Sequence, residues 1–581
     1  MASRSGLARR LRYLSVFFFT TAAFLPASAR PGLAQQSHFE SGCESPGTIA
    51  QTAWRLEGND QVNAMRTSVN RTLKLDEVRW SGLSGDLFGF RAGANYALIF
   101  ARDSATIAPA AQFFYEAPFL TKPVEEFLQL QFDGQGGDPS DGFWLYPPGP
   151  GALSGVVGGD GPTAIKTLVT SDEEPSVVHM AYVAFKAGAG PRWLLDQQAG
   201  KPRVQRLNDA MGWLFGHRFE PQLGLIKRGH TTDWGDVEAG SGPLSGPAAR
   251  EPREWTASIY DQAWTYRALL ELAEMNRAAD RQDLADLQMA RATIIRQAAT
   301  DWLWQPDRGV YRTHIHIPPV EHAFDEDEMI SIANAVAVST GLAKPADHGA
   351  IFRALERARV AAGAAKPGVS LYPPYPAGYF DYPQMVPGRY QNGAVWDWWG
   401  GMQISAEFWN GYSTLARAHL DLVASDWART PGQVTEWQEP RSRRNGGSPA
   451  YAGAAATMAE AILAGLFGVE LSPGGFAAAP RLGQQSGGIH AYHPPSDCWL
   501  DYWHTYAGDR IALEWDTNHT LPGRVRVLIP DQASLLGGLL DQQPAPLKIE
   551  LIGDDTYAVL AAPAPPGRHR LELQLASAPE S

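Results

Sequence analysis

Apolar residues recur at steps of three and four over much of the chain between about residues 96 and 467, the spacing of one face of an α-helix. The segments 202–216, 284–298 and 351–358 carry such a stripe opposite a polar side. Because a helix with a single apolar face covers a core from outside, these segments predict an outer layer of helices.

Two further segments, 259–275 and 450–467, are apolar on nearly all sides. A helix of this kind must be covered on several sides, so it belongs to an inner layer. Alternating outer and inner helices predict a mainly α fold, an (α/α)6 toroid of about a dozen helices arranged as hairpins.

After Pro480 the pattern changes to short alternating stretches separated by turn residues. These stretches are predicted strands at 510–515, 524–529, 547–552, 557–560 and 569–575. The predicted order of domains is an N-terminal segment 35–90 that packs on the barrel, a catalytic barrel 91–485 and a small antiparallel β-domain 486–581.

Long joining segments rich in glycine, proline and aromatic residues interrupt the helical pattern, at 134–163, 239–254, 364–399 and 430–449. Long loops inside a compact domain are usually functional. In a ring of inner helices they would crowd one end and build a pocket there.

The amino-acid composition limits the kinds of molecule that the protein is expected to bind. The 581 residues include 19 tryptophans, only 19% are charged, and the net charge is −13. An acidic chain argues against nucleic acid, which requires a basic surface. An excess of tryptophan is typical of carbohydrate binding, although a large core would also explain it.

The first 34 residues have the pattern of a signal peptide, with four early arginines, an apolar run at 13–25 and small residues for cleavage. The run is too short for a permanent membrane anchor. We therefore expect an exported protein, periplasmic or extracellular, with no membrane contact after cleavage. Cys43 and Cys498 could pair in that compartment or remain two thiols, and the oligomeric state is open.

Candidate chemistry begins with carboxylates beside an indole in 233–238, with Arg102 and Asp103 upstream and Glu436 downstream. Tryptophan prefers burial and carboxylate prefers water, but a site that handles sugars uses both. Aromatic faces stack on sugar rings, carboxylates bind hydroxyls, and two further carboxyls cleave the bond. These clusters predict a glycoside-cleaving pocket built from distant segments.

Several motifs in this order, spread over about 90–485, resemble the six-hairpin glycosidases, nearest the glucoamylases, trehalases and processing α-glucosidases. The residues that carry the resemblance are Tyr96 to Ser104, Thr170 to Glu174, Asp233 to Asp236, Tyr390 to Trp396, Glu436-Trp437 and Gly465 to Gly468. The resemblance implies the toroid and a pair of catalytic carboxyls.

By this resemblance Asp236 is the general acid, and burial beside Trp234 would raise its pKa so that it holds a proton. Asp233 would share the site if the segment is a helical turn, or it could cap a helix. The resemblance does not decide between the two aspartates.

Glu436 is the implied general base, with Glu439 as the competing candidate. An acid and a base on distant segments imply inversion, with the carboxyls roughly 6.5–9.5 Å apart to admit a water. The basic run 441–444 is either a solvated loop or a site for phosphate or an acidic sugar.

The remaining residues would bind substrate. Arg102 and Asp103 would hold the hydroxyls of the terminal sugar, or form an ion pair on a helix surface. Asn392 would supply a hydroxyl partner. Stacking walls are predicted at Trp234, Trp396, Trp398 and Trp399, although ordinary aromatic packing explains these tryptophans equally well.

Metal and nucleotide chemistry have little support. We find no paired histidine spacing and no Gly-Lys-Ser loop, and the acidic run 325–328 reads better as a solvated helix start than as a calcium loop. We therefore expect no cofactor and no metal.

The predicted function is an exported, inverting, exo-acting glycoside hydrolase on α-glucosides or related neutral oligosaccharides. A glycoside phosphorylase would use phosphate in place of water and need no general base. A polysaccharide lyase would need a tyrosine or histidine base and a basic groove. A carbohydrate-binding protein without activity is the fourth alternative.

Overall fold

The computed structural model describes residues 51–133, 143–144, 149–159, 163–164, 166, 169–239 and 252–577. The predicted signal peptide and Cys43 lie outside these residues, so the proposed pairing of Cys43 with Cys498 stays a prediction. Twelve helices of seven or more residues occur in the described part. They are α1 (Asp60–Asp76), α2 (Ala101–Ala111), α3 (Pro118–Gln129), α4 (Glu173–Ala184), α5 (Arg203–His217), α6 (Ile259–Ala278), α7 (Gln282–Trp302), α8 (Ala333–Ser339), α9 (His348–Ala362), α10 (Asp397–Trp409), α11 (Ser413–Trp427) and α12 (Ala452–Glu460).

The even-numbered helices contact one another in sequence, α2 with α4, α4 with α6, and so on to α12, which returns to contact α2. Each odd-numbered helix packs against an even-numbered one: α3 and α5 on α4, α7 on α6, α9 on α8, α11 on α10 and α1 on α12. The chain thus alternates between an outer helix and an inner helix, as the hydrophobic pattern predicts.

Burial follows this division into two layers. Twelve of the thirteen residues of α10 are buried, from Asp397 to Phe408, because this helix is covered on all sides. In α7 the buried apolar residues recur at one face, as in Ala285, Ala292 and Ile295. Leu287 and Ile294, which belong to the apolar stripe of 284–298, are exposed, so the stripe does not mark the buried face of this helix. The predicted helices at 202–216, 259–275, 284–298 and 351–358 are confirmed as α5, α6, α7 and α9.

The C-terminal region forms two sheets. The seven-stranded sheet has the order Ala53–Leu56, Gly487–His493, Cys498–Tyr506, Arg510–Thr517, His569–Ser577, Ala533–Leu540 and Gln543–Pro544. The five-stranded sheet has the order Val469–Ser472, Gly475–Ala478, Arg524–Ile529, Asp555–Leu560 and Leu547–Ile552. All five strands predicted after Pro480 are present.

The sheets differ from the prediction in three respects. Strands begin at Val469–Ser472, before the predicted boundary at 486, and Ala53–Leu56 of the N-terminal segment pairs with Gly487–His493. Gly475–Ala478 and Arg524–Ile529 pair in parallel, whereas the other pairs of the two sheets are antiparallel. Sheets and helices share one hydrophobic core, which includes Trp54, Ala455 and Leu513.

Short strands also occur in the connections between helices, so the region before residue 469 is less uniformly helical than predicted. They are Glu77–Gly82 with Gly85–Phe90, Ile99–Phe100 with Val156–Val157, Phe143–Trp144 with Thr163–Ala164, Gln197–Gln198 with Lys201–Pro202, Phe219–Glu220 with Leu225–Ile226, Trp304–Gln305 with Val310–Tyr311, Ile330–Ser331 with Leu371–Tyr372, and Thr435–Gln438 with Asn445–Pro449. A three-stranded sheet joins Arg228–Gly229, Trp255–Ser258 and His314–Ile317. Across the residues described, we find no helix with the length and apolar character that a membrane span requires.

Candidate active site

Three carboxyl groups from distant parts of the chain come together here, and we call them the carboxylate cluster: Asp103, Asp236 and Glu436. Asp103 lies in the first turn of α2, Asp236 lies in the irregular segment after Arg228–Gly229, and Glu436 lies on the strand Thr435–Gln438. The negative charges of Asp103 and Asp236 both raise the pKa of Glu436, so the three groups influence one another electrostatically. The structure thus brings together three of the predicted site residues.

Both carboxylate oxygens of Glu436 accept hydrogen bonds. The Tyr96 hydroxyl donates to Oε1 at 2.9 Å, and the Ser448 backbone N–H donates to Oε2 at 2.7 Å. Its side chain is only 2% exposed, and burial is the main reason that its pKa rises to about 8. Two donors and a tight enclosure fix the direction in which this carboxyl faces.

Gly447 gives Glu436 the room it occupies. Gly447 has φ +74°, and a Cβ atom added there would lie 2.7 Å from the Cβ atom of Glu436 and also overlap its carboxylate. No larger residue fits without displacing the carboxyl group. The glycine pair after Glu436 therefore has a specific role beside the candidate base.

Replacing Gly447 by Ala is expected to lower kcat/KM at least about tenfold, because a misplaced reacting group costs rate even when the shift is small. The matched control is Gly508→Ala, since Gly508 has φ +75° with nothing within 4 Å of the added Cβ. Both variants carry the same backbone strain. Equal kcat/KM in the two variants would contradict the role of Gly447.

Asp236 is exposed, and its carboxylate is bound by Gln391. The Gln391 side-chain N–H donates to Asp236 Oδ1 at 2.6 Å, and the Asp236 backbone N–H donates to Gln391 Oε1 at 3.3 Å. The prediction that Asp236 is buried beside Trp234 is therefore wrong. Trp234 and Asp236 lie two residues apart and face opposite ways, because the loop between them is irregular. Trp234 is buried in the core, and Asp236 is exposed to solvent.

Asp233 lies in a different environment. It has φ +104°, so the predicted helical turn through Asp233 and Asp236 is not formed. Its buried carboxylate accepts a hydrogen bond from the backbone N–H of Tyr260 at 3.4 Å, in the first turn of α6, and burial raises its pKa to about 7. Its charged neighbours are Arg228 and Asp261, so Asp233 lies in the interior of the loop. There its carboxylate binds the N-terminus of α6 through the backbone of Tyr260.

Arg102 and Asp103 point to different partners. Arg102 donates to both oxygens of Asp172, at 2.5 and 3.1 Å, and Tyr260 donates to the same carboxylate at 3.2 Å. The Tyr451 hydroxyl donates to Asp103 Oδ1 at 2.7 Å, and burial raises the pKa of Asp103 to about 6. The alternative of a surface ion pair between Arg102 and Asp103 is wrong, because each is bound to residues from another inner helix or loop.

The four tryptophans predicted as stacking walls pack on one another instead. Trp234 makes edge contacts to Trp396 and Trp399, with ring centroids 5.0 Å apart in each case, and Trp398 and Trp399 stack at 4.3 Å. All four are at most 2% exposed. Ordinary aromatic packing is thus the correct interpretation, and it forms a rigid layer behind the carboxylate cluster.

Asn392 is likewise structural. Its fully buried side chain binds the backbone N–H and carbonyl of Tyr375 and the carbonyl of Met385, so the prediction of a sugar hydroxyl partner there is wrong. This residue ties the 375–392 loop to itself.

Glu439 forms ion pairs with Arg444 and Arg389, and its carboxylate also accepts from Ser442, away from the cluster. Within the basic run, Arg443 pairs with Asp426. The loop 441–444 is therefore tied into local ion pairs.

Three contacts of the site were missed by sequence reasoning: Gln391 with Asp236, Tyr96 with Glu436 and Tyr451 with Asp103. Tyr96 and Gln391 fall inside the motifs that carry the resemblance, but nothing in the sequence assigns their partners. Sequence separations of 155, 340 and 348 residues explain why no local pattern could reveal these pairs.

A second cluster of titratable side chains lies behind the same loop. His230, His314, His316 and Glu326 offer ligand atoms that all lie within 4.8 Å of one another. His230 follows the strand Arg228–Gly229, six residues before Asp236. These residues could hold a metal ion.

A scan against protein-family models and a search of curated proteins give no match. Solved structures do match, among them three rhamnosidases. An α-L-rhamnosidase from Dictyoglumus thermophilum matches with a TM-score of 0.59 at 9% identity over 90% of this chain. A GH78 family rhamnosidase of Bacillus sp. GL1 matches with 0.57 at 14% over 83%, and a Streptomyces avermitilis α-L-rhamnosidase in complex with L-rhamnose matches with 0.55 at 14% over 90%.

The matched regions cover 50%, 43% and 42% of those chains, so this chain spans half of their length or less. At these identities the likeness concerns the fold. The alternating helices and the C-terminal sheets of this chain are therefore an arrangement that occurs in solved glycosidases.

Proposed function

We propose that this chain is a glycoside hydrolase in which Asp236 and Glu436 form the catalytic pair. The observation that carries the proposal is the carboxylate cluster: two carboxyls from segments 200 residues apart share one site with Asp103 and Arg102. One of them is exposed and the other is enclosed, which is the asymmetry that separate acid and base roles need.

We further propose that the closed sequence of contacts among α2, α4, α6, α8, α10 and α12 is an (α/α)6 toroid, with the cluster at one of its ends. The match to rhamnosidases of the same fold supports this interpretation. Two of these structures are α-L-rhamnosidases, so the candidate substrates of this chain include α-L-rhamnosides beside the predicted α-glucosides. Export remains part of the proposal through residues 1–34.

Asp236 is proposed as the general acid and Glu436 as the general base. The exposed carboxyl of Asp236 can reach a leaving group, and Gln391 orients it. Both donors on Glu436 bind its anionic form, leaving a fixed carboxylate to position a water. An inverting reaction follows from this division of roles.

One observation favours the reverse assignment. Burial raises the pKa of Glu436 to about 8, and a carboxyl that holds its proton at neutral pH is suited to be the acid. Glycosyl fluorides distinguish the two, because fluoride leaves without protonation. The acid variant should retain fluoride hydrolysis while losing activity on alkyl glycosides, and we expect this of Asp236→Asn. The same behaviour in Glu436→Gln would reverse the roles.

The pH dependence of kcat/KM follows from the same pKa. Catalysis by the pair needs one carboxyl protonated and the other ionised, so kcat/KM of the wild type should fall as pH increases through about 8 and the proton on Glu436 is lost. Initial rates from pH 5 to 10 at constant ionic strength provide the measurement. No change in kcat/KM between pH 7 and 9 would show that Glu436 does not carry the proton that the reaction uses.

The experiment that tests hydrolysis itself is turnover of a panel of aryl and natural glycosides, with and without added inorganic phosphate. We expect release of sugar in phosphate-free buffer. Turnover only with phosphate would indicate a phosphorylase. An ultraviolet-absorbing unsaturated product would indicate a lyase, and binding without turnover of any member would indicate a non-catalytic protein.

A further inference from the structure

The second cluster is assembled from three segments that meet behind the loop carrying Asp236. His230 stands at the start of that loop, His314 and His316 lie two residues apart on the strand His314–Ile317, and Glu326 begins the single turn Glu326–Glu328. His230 is fully buried and His314 is 5% exposed. Imidazoles are seldom gathered in this way without a partner that needs several of them.

Most of the ring nitrogens face no hydrogen-bonding partner. Both nitrogens of His314, Nδ1 of His230 and Nδ1 of His316 are buried without a hydrogen bond in the described structure, as is Oε1 of Glu326. Buried polar atoms are normally satisfied, because leaving them unpaired sacrifices their hydration. An ion that accepts one lone pair from each ring and one from Glu326 would engage all four side chains at once.

The spacing suits a small ion. Nε2 of His314 and Nε2 of His316 lie 3.4 and 2.8 Å from Oε2 of Glu326, and Nε2 of His230 lies 4.0 Å from Oε1. Ligands on a tetrahedral ion with bonds of about 2.0–2.1 Å stand roughly 3.3 Å apart. The ligand atoms of the four side chains lie within 4.8 Å of one another, so the side chains must draw closer together to coordinate one ion.

The ligand types favour a transition metal. Three imidazoles and one carboxylate suit Zn²⁺ and its neighbours, whereas Ca²⁺ and Mg²⁺ require mostly oxygen ligands. One outer contact of the expected kind is present, because a carboxylate oxygen of Glu254 lies 3.8 Å from Nδ1 of His316. Nε2 of His230 is bound to the Tyr379 hydroxyl at 2.8 Å, and an ion at that nitrogen would replace this hydrogen bond.

A fifth candidate ligand is adjacent. Nε2 of His322 lies 3.1 Å from Nε2 of His316 and 3.5 Å from Oε2 of Glu326. It could replace His230 in the coordination or stand beside it. His322 lies between the strand His314–Ile317 and the turn Glu326–Glu328, the two segments that the same ion would join.

We propose that His230, His314, His316 and Glu326 bind one divalent transition-metal ion, Zn²⁺ by their chemistry. The ion joins the loop that carries Asp236 to the strand His314–Ile317 and the turn Glu326–Glu328. Its role is structural, and the site stands independently of the proposed hydrolase activity. The proposal departs from the sequence expectation of no metal, which did not recognise the His-x-His spacing on a strand.

Metal content of the purified full chain, with any affinity tag removed, is the first test. We expect about one zinc per chain by elemental analysis, or uptake of one Co²⁺ per chain after treatment with a chelator. Bound Co²⁺ should give the strong visible absorption bands of tetrahedral coordination. Absence of both zinc and stoichiometric Co²⁺ uptake would overturn the proposal.

Variants locate the site. His314→Ala and the isosteric Glu326→Gln should each weaken Co²⁺ binding by about tenfold or more, since even outer contacts of metal ligands are worth 10–100-fold. The matched control is His569→Ala, because His569 pairs with Asp541 on the C-terminal sheet. If His314→Ala does not fold, as judged by circular dichroism, Glu326→Gln decides. Unchanged affinity in Glu326→Gln would contradict the assignment.

Discussion

Replacing Glu436 by Gln is expected to lower kcat/KM by about 10²–10⁴-fold, the usual contribution of a general acid or base. Glutamine keeps the shape of the side chain, and its amide oxygen can still accept from Ser448. It cannot take a proton from water or give one to a leaving group. The loss should therefore appear in the chemical step, with circular dichroism unchanged.

Glu439→Gln is the matched control for this variant. Glu439 lies three residues further on and is tied to Arg444 and Arg389 at the surface. Its replacement should change kcat/KM less than about twofold, because exposed ion pairs contribute little. A large loss in Glu439→Gln with an active Glu436→Gln would transfer the catalytic role to Glu439.

Replacing Lys366 by Met is expected to lower the free energy of unfolding by roughly 3–5 kcal/mol, the cost of removing one partner from a buried ion pair. Lys366 is 3% exposed, and its ammonium lies 2.7 Å from Asp397 and 2.8 Å from Asp426. Burial alone would raise the pKa of Asp426, but the charges and hydrogen bonds of Lys366 and Arg443 lower it to about 2. Methionine would leave Asp397 buried without its cation, whereas Asp426 would keep its ion pairs with Arg443 and Arg429.

Urea denaturation followed by tryptophan fluorescence provides the measurement. Lys344→Met is the control, because Lys344 is exposed and its loss should cost less than about 0.5 kcal/mol. The effect also bears on the site. Asp397 begins α10 beneath the tryptophan layer, and Asp426 is linked through Gln438 to the strand of Glu436. Equal midpoints for the two variants would show that the buried triad adds no stability.

Helices and strands with a clear period could be predicted from the sequence alone. The stripes in α5 and α9 and the alternation in 510–575 are local patterns, and burial acts on them directly. The partner of a strand is not local. Pairing of Ala53–Leu56 with Gly487–His493 joins residues more than 430 positions apart, and no pattern in either strand specifies it.

The candidate site was predicted in outline. Asp103, Asp236 and Glu436 could be chosen because carboxyls inside apolar or aromatic segments are unusual. The same reasoning failed for Trp396, Trp398, Trp399 and Asn392, since an aromatic run predicts burial and stacking equally well. Which face of an irregular loop is exposed depends on φ and ψ at single residues, as Asp233 at φ +104° illustrates.

The histidine cluster shows a further limit. His230 lies 84 residues from His314, and Glu326 belongs to an acidic run that reads as a solvated helix start. Only the three-stranded sheet and the turn after it bring these groups within reach of one another. The His-x-His spacing of His314 and His316 is a local signal, but it does not identify the other two ligands, which lie on distant segments.

The most direct test of the central claim is a proton NMR time course of the purified chain with α- and β-linked glycosides, α-L-rhamnosides included, beside Asp236→Asn. We expect that the first sugar released has the anomeric configuration opposite to that of the bond cleaved, and that Asp236→Asn releases no sugar from the same substrate. Release with retained configuration, or full activity in Asp236→Asn, would contradict it.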